Sequence, residues 1–593
     1  MPHTAPDSSN QSRQSFLRFA LRLREHIRLG DRQVIYVWAA IVGVIGAATA
    51  LLFEFFVDWV QNILTGKHHY SQIKAFTDLA LENPWWCALV PAIGGLLAGL
   101  TLLFTHRFVP AKATEYMEAV ALGNGYVPTK PSLLRTVSAI FTIGSGGSIG
   151  REGPLVQSAA VAASWIGRFF RMSAPRLRLM VACAAASGMS AAFHTPLAGG
   201  LFVSEIVLGA MTIDFLAPLL VSSCAGYFMM SLFQEPTPIY QVGAVSLIGN
   251  SHIFWCALLA VISSFVAAGW MWLLKFSRSH LNGKRIWLPI RLAAAGLLVG
   301  VIATQYPEIV GNGRNMINSL IHFEFTYPTA ILLLALKIAT VAIMFGTGTV
   351  GGVLTPSLTI GSILGFLFSG ILLYFDVPGE YALAYTLIGM AAFFTTAANA
   401  PITSLVLVIE FTMAGQLMFP LIIAVLVSHG VAKLMKVKSM YYDSLIFGPR
   451  STFEKPLGQV QLKDVARTTP TILRPQDTFG TIASTFITNP TPVLFVASKK
   501  GKYLGSILAQ DVVAFAKSKE LADTVLAIDV LRTDMTALPS NMHLPEALGA
   551  FSKKNAGESM ALVNPDTKEI TGVVNKADLY LVLSEIMRRE KIQ

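Results

Sequence analysis

Charged side chains are scarce in this chain, at 13% of 593 residues, while hydrophobic ones reach 53% and the mean hydropathy is +0.57. That balance excludes a water-soluble globule of this size and makes the bilayer the solvent for most of it. Cysteine is nearly absent. Cys87, Cys183, Cys224 and Cys256 stand singly in apolar surroundings without metal-ligand spacing, so no disulfide framework or thiolate metal centre is expected. An HExxH sequence is also missing, which removes an intramembrane zinc protease. Acidic residues in the apolar region are few and scattered, which argues against a divalent-cation transporter built on clustered carboxylates. Neither an enzyme nor a required cofactor is expected of the membrane part.

The charges that do exist are unevenly placed. Arg13, Arg18, Arg22, Arg24, Arg28 and Arg32 precede the first apolar run, the flank of a membrane protein whose N-terminus is cytoplasmic. The net charge of +11 thus concerns topology and lipid contact, and nucleic acid is not an expected partner. From 34 to 449 apolar segments dominate, whereas 450–593 has ordinary soluble composition. The expected organisation is a basic segment at 1–33, a membrane domain at 34–449 and a cytoplasmic tail at 450–593. Several apolar segments, such as 133–143 and 401–413, are too short to span, since a crossing takes about 20 residues. Short Gly/Pro-flanked pieces imply broken or re-entrant helices, tolerated only where protein or a watery cavity satisfies their backbone.

An internal repeat is the most specific feature. GSGGSIGREGP at 144–154 aligns without a gap on GTGTVGGVLTP at 346–356, pairing Gly144, Gly146, Gly150 and Pro154 with Gly346, Gly348, Gly352 and Pro356 at an offset of 202. A second match runs from His194-Thr195-Pro196 to Glu205 and from Asn399-Ala400-Pro401 to Glu410, at an offset of 205. Interrupted hydrophobic segments at corresponding places in two halves point to a midplane substrate site between the repeats.

In both halves the glycine-rich stretch ends in a proline expected at the first position of an apolar helix. Such a helix start offers free N–H donors and a positive dipole end, which bind an anion without a full cation. Glu152 sits inside the first loop, where a carboxylate in hydrocarbon is costly and therefore a functional candidate. Ionised, it accepts the same N–H donors as a bound anion; protonated, it leaves them. It would then be both gate and proton carrier. The bland alternative is a salt bridge to Arg151.

Residues 34–449 resemble the CLC family of chloride channels and chloride/proton antiporters, and most closely its ClcB-type branch. The resemblance rests on GREGP at 150–154, on GVLTP at 352–356 in place of a GIFAP-type motif, on SGMSAAFHTPLAGGLFVSEI at 187–206, and on Tyr442-Asp443-Ser444-Leu445. It implies a multi-span α-helical fold with inverted repeats, in a homodimer with one pore per subunit in the bacterial cytoplasmic membrane. It further implies an anion held by the amides of Val353 and Leu354 and the Tyr442 hydroxyl, with Arg151 and Gly153 contributing around the external gate Glu152. Tyr441 takes the place of Tyr442 if the register slips by one.

Two positions depart from the family pattern. The loop serine that usually meets the ion aligns with Ala111, with Lys112 or Thr114 available to compensate, and the proton-relaying glutamate aligns with Ile206, just after Glu205. These leave open a proton-coupled antiporter or a passive gated channel, and leave open which anions besides chloride are carried. Glu205 and Glu410 occupy matching places and are expected to stabilise helices. His194 and Asn399 are expected to cap helix starts.

The tail resembles a pair of CBS domains, at about 460–520 and 527–590, each reading strand, amphipathic helix, then Gly-x-hydrophobic before an aspartate. The resemblance implies an adenine nucleotide at Asp511 and Asp578. The Ser/Thr expected three residues earlier is Leu508 or Asn575, so a purely structural dimerising tail stays equally open.

Overall fold

The computed structural model describes residues 31–441 and 460–579, apart from 68–70, 109–114, 122–123, 210, 236, 244–245, 247–248, 250–251, 283–286, 466–471, 489–492, 500, 516–524, 552–558 and 577–578. The chain divides into two compact units, Met1–Leu445 and Ile446–Gln593.

Among the described residues the regular elements of the first unit are helices, apart from one bridge between Gly150 and Gly352. Its first half contains α1 (Asp31–Thr65), α2 (Gln72–Glu82), α3 (Pro84–Phe108), α4 (Tyr116–Ala121), α5 (Thr129–Gly144), α6 (Glu152–Phe169), α7 (Ala174–Phe193), α8 (Pro196–Phe202) and α9 (Ile213–Ser231). The second half contains α10 (Ile253–Leu281), α11 (Leu288–Ala303), α12 (Arg314–Ile321), α13 (Tyr327–Gly346), α14 (Leu354–Leu372), α15 (Ala382–Ala398), α16 (Pro401–Thr412) and α17 (Met418–Leu434). Among the described residues eight helices are long and apolar enough to cross a membrane, and α8, α11 and α16 are the shorter apolar pieces.

Because lipid gives helices no hydrophobic reason to associate, packing must come from close backbone approach at small residues. Gly95 and Gly99 of α3 face α11, where a Cβ would fall 2.4 Å from Leu292 O and from Pro289 Cα. In return, Gly296 and Gly300 of α11 face the carbonyls of Pro91 and Ala88 at 2.1 and 2.2 Å from the would-be Cβ. Gly361 and Gly365 of α14 meet α15 in the same way, and every residue of α15 is buried.

The repeat is visible bond by bond. Ser145, Gly146 and Gly147 donate to Phe141, Ile143 and Thr142, and Thr347, Gly348 and Thr349 donate to Ile343, Phe345 and Met344. Each donor and acceptor is displaced by the offset found in the sequence. Gly146 and Gly348 both adopt φ +88°, a conformation open to glycine and strained for other residues. Pro196 and Pro401 open α8 and α16 as expected. Pro154 and Pro356, by contrast, are the third residues of α6 and α14, which begin at Glu152 and Leu354. All N–H groups of a first turn lack helical partners, so proline is tolerated there beyond its first position.

His194 and Asn399 correct the expectation that they cap helix starts. Both take the left-handed conformation at the ends of α7 and α15, with φ 54° and 55°. The link to the next helix is so short that one residue borders both an end and a start, and here it closes the end. His194 Nδ1 lies 2.8 Å from Thr237 O.

The second unit holds two copies of one α/β pattern. The unit opens with α18 (Leu462–Val465), which packs on the second copy; the first copy then runs β1 (Ile472–Leu473), α19 (Phe479–Thr488), β2 (Val493–Ala497), β3 (Tyr503–Leu508) and α20 (Ala509–Phe515). In the second, β4 (Leu538–Pro539), α21 (Leu544–Phe551), β5 (Ser559–Val563) and β6 (Ile570–Asn575) repeat the sheet. Both sheets pair the first two strands parallel and the last two antiparallel, with a register shift at Val496/Ala497 and again at Leu562/Val563. Backbone pairing of Ser506 with Arg532 and of Lys502 with Glu569 joins the copies.

Candidate anion site between the repeats

The two glycine-rich loops meet each other. Gly150 N donates to Gly352 O and Gly352 N to Gly150 O, each at 2.7 Å, so equivalent residues of the two repeats form a short two-stranded seam. Immediately after the seam the chain turns into α6 on one side and α14 on the other. Among the described residues the amides of Arg151, Glu152 and Gly153, and those of Val353 and Leu354, take no backbone acceptor. Two helix starts therefore present free donors at one place in the middle of an apolar unit.

The Glu152 carboxyl fills that place. The side chain is buried, the Thr355 hydroxyl donates to its Oε1, and its Oε2 accepts no hydrogen bond from a described group. A Cβ on Gly150 would lie 2.1 Å from Oε2 and one on Gly352 2.8 Å from it, so the seam is glycine where the carboxyl rests against it. Arg151 does not pair with its neighbour. Its guanidinium turns the other way, 3.4 Å from Glu54 Oε1 on α1. The bland alternative for Glu152 is thereby set aside by geometry, because adjacent residues at a helix start diverge.

Sequence reasoning missed two groups here. Thr355 was seen only as part of a motif, yet it supplies the side-chain donor to Glu152. Lys337, alone in the apolar run of α13, is fully buried and donates to Ser148 Oγ, Ile309 O and Gly311 O at 3.1, 2.9 and 2.8 Å. Its isolation in a hydrophobic segment was the available signal. Ala111, with Lys112 and Thr114, and Tyr442 lie outside the described residues. Tyr441 is described, with its ring edge-on to Phe202 at 5.6 Å.

Glu205 and Glu410 act across the repeats. Glu205 Oε1 accepts from Ile402 N at 3.1 Å and Oε2 from Thr403 N at 2.7 Å, at the start of α16. Glu410 Oε1 accepts from Leu197 N at 2.9 Å and Oε2 from Ala198 N at 2.7 Å, at the start of α8. Each half thus caps a helix of the other with a charge-assisted pair of bonds. Glu205 and the buried Ile206 lie in a π-helical turn, Val203–Leu208, that has no counterpart in α16. Glu205→Ala and Glu410→Ala are each expected to destabilise the protein by about 3 kcal/mol, for two bonds to a charged acceptor. The check is the melting temperature of the purified protein in detergent; unchanged values would mean that water replaces the carboxylates at no cost.

A family model described as voltage gated chloride channel matches residues 94–433, which is more than half of the chain. The chain belongs to this family. A CLC relative from Ralstonia nicotianae, named chloride channel protein ClcB-like, is 34% identical over 425 residues, covering 70% of this chain and 98% of the relative. The solved structure of a slow cyanobacterial Cl-/H+ antiporter superposes with a TM-score of 0.62 at 20% identity, over 70% of this chain and 98% of that one. A eukaryotic CLC transporter superposes with a TM-score of 0.60 at 16% identity, over 92% of this chain and 97% of that one. The first unit thus has the CLC fold, and the second likeness extends into the α/β tail.

Proposed function

We propose that the membrane unit carries chloride by proton-coupled antiport, with Glu152 as external gate and proton carrier. The observation that supports this is the Glu152 carboxyl lodged in the glycine seam, where free amides of both repeats converge. An ionised carboxylate there stands in for the transported anion; protonation weakens its hold and admits chloride. Val353, Leu354, Arg151 and Gly153 supply backbone donors, and Tyr442 a hydroxyl. Ala111 in the loop where relatives carry serine tunes the choice among chloride and other anions. The unit works as a homodimer in the bacterial cytoplasmic membrane with both chain ends cytoplasmic.

A second reading, a passive gated channel, is favoured by one observation. Ile206 cannot titrate, and the neighbouring Glu205 carboxylate is committed to capping α16. Simultaneous chloride and proton flux in liposomes separates the two. Uphill proton movement driven by a chloride gradient establishes exchange; chloride flux without it establishes the channel.

The tail is read as a CBS pair that binds an adenine nucleotide. Asp511 of α20 is held by Arg532, at 2.8 Å to Nε and 3.0 Å to an Nη, so ribose recognition there must displace a guanidinium. Asp578 lies outside the described residues. Removing the competitor by Arg532→Ala is expected to tighten adenine-nucleotide binding to the full-length protein, and Asp511→Ala to weaken it about tenfold, for one charge-assisted bond. Calorimetry that registers no heat with any adenine nucleotide would leave the tail a structural element.

A further inference from the structure

Lys337 is buried at its full length, yet among the described residues it has no carboxylate partner. Among the described residues its bonds all go to neutral acceptors: the Ser148 hydroxyl two residues ahead of the seam, and the carbonyls of Ile309 and Gly311 in the turn ahead of α12. The ammonium therefore ties that turn to the first glycine-rich loop. Gly311 N adds a direct bond to Gly146 O at 3.3 Å. Two residues with positive φ, Gly311 at 67° and Gly313 at 97°, flank Asn312 and fix how it leaves the turn. Asn312 Oδ1 accepts from Arg314 N at 3.2 Å, which sets the orientation of its amide.

The consequence is at the gate. Asn312 Nδ2 is buried without a hydrogen-bond acceptor, the Asn312 side chain lies within interaction range of the Glu152 carboxyl, and Glu152 Oε2 is buried without a donor. An unfilled donor beside an unfilled acceptor, in a place with no room for water on their atoms, is a costly arrangement unless the two serve each other. We propose that Asn312 is a holding residue for the gate: with Thr355 on Oε1 and Asn312 on Oε2, the ionised Glu152 carboxylate is gripped by side chains as well as by the seam, and Lys337 positions Asn312 for this. The proposal rests on Glu152 being the gate. It makes the release of the carboxyl a competition between a proton and two neutral donors.

Other ionisable groups surround the site. Arg151 borders the start of the same helix, Tyr240 and Tyr441 are within electrostatic reach of Glu152, and Arg314, Glu54 and Asp58 lie around Arg151. Of these only Arg314 bonds to Asn312, through its backbone N–H to Asn312 Oδ1, and each of these ionisable side chains is itself unchanged in the Asn312 variants.

The test is chloride flux through the full-length protein in liposomes as a function of external pH. Asn312→Leu keeps the volume and removes the donor; its activation midpoint is expected to move up by about one pH unit, a tenfold change in proton concentration, because a neutral group bonded to a charge contributes on that order. Asn312→Ser, which is too short to reach, is expected to move it in the same direction and serves if the leucine variant does not fold. Lys337→Met is expected to shift the midpoint likewise and to add nothing on top of Asn312→Leu, which a general loss of stability would not reproduce. In a Glu152→Gln background neither substitution should change the profile. A flat profile for Glu152→Gln together with an unmoved midpoint for both Asn312 variants overturns the holding role alone. A Glu152→Gln protein that keeps its pH dependence overturns the gate on which it rests.

Discussion

Glu152→Gln is expected to make chloride flux independent of external pH and to abolish uphill proton movement, while Glu152→Ala also loses proton movement but conducts chloride passively. Glutamine has the shape of the protonated acid and still fits beside the Thr355 hydroxyl, which then meets an amide instead of a carboxylate. It cannot ionise. Alanine vacates the seam and leaves the donors of Val353 and Leu354 to the ion. Loss of a charge-assisted bond to the carboxylate corresponds to about a 10- to 100-fold change in how often the seam is free. The largest gain in flux is therefore expected at alkaline pH, where the wild-type gate is ionised. Proton transport at the wild-type rate in Glu152→Ala would show that the carboxyl is a structural filling between the loops.

Gly352→Ala tests the position of the gate without touching its chemistry. The added methyl would lie 2.8 Å from Glu152 Oε2, 3.3 Å from Gly153 N and 3.8 Å from Gly150 O. Gly352 is not in the left-handed region, so alanine imposes no backbone strain there. The atom that can yield is the far end of the glutamate side chain. The carboxyl is expected to leave the seam, raising alkaline chloride flux towards the level of Glu152→Ala by about tenfold or more, while the acid itself is still present to titrate. A wild-type pH profile in this variant would place the resting carboxyl elsewhere.

Much of the architecture could be read from the residues because it is written in local terms. The shared glycines and prolines determine where chains turn, and the offsets of 202 and 205 reappear as matched hydrogen bonds and dihedrals. Hydropathy located α16 within one residue, whereas the polar α2 escaped notice because its helix carries no long apolar run. The contacts of the gate were less accessible. Thr355 and Glu152 are 203 residues apart, and they meet only because the two repeats fold onto each other. Asn312 belongs to no motif, and its place depends on a lysine 25 residues further along the chain that bonds both to its own turn and to the first glycine-rich loop. Periodicity and composition describe one element at a time and carry no information about such meetings. The caps of His194 and Asn399 were misplaced for a related reason: in a link of two residues, only a dihedral angle distinguishes closing one helix from opening the next.

The exchanged glutamates have a meaning for how such a chain arose. Each repeat carries both a proline-led helix start and the carboxylate that satisfies it, yet neither uses its own: Glu205 serves Ile402 and Thr403, and Glu410 serves Leu197 and Ala198. A solitary repeat would leave its acid idle and its helix start bare. Two copies of one ancestral half, lying in opposite senses, would satisfy each other completely through the same four amide bonds. Gene duplication and fusion would then have joined partners that already depended on one another, and the modern protein would keep that marriage as an obligation: neither half can be finished alone.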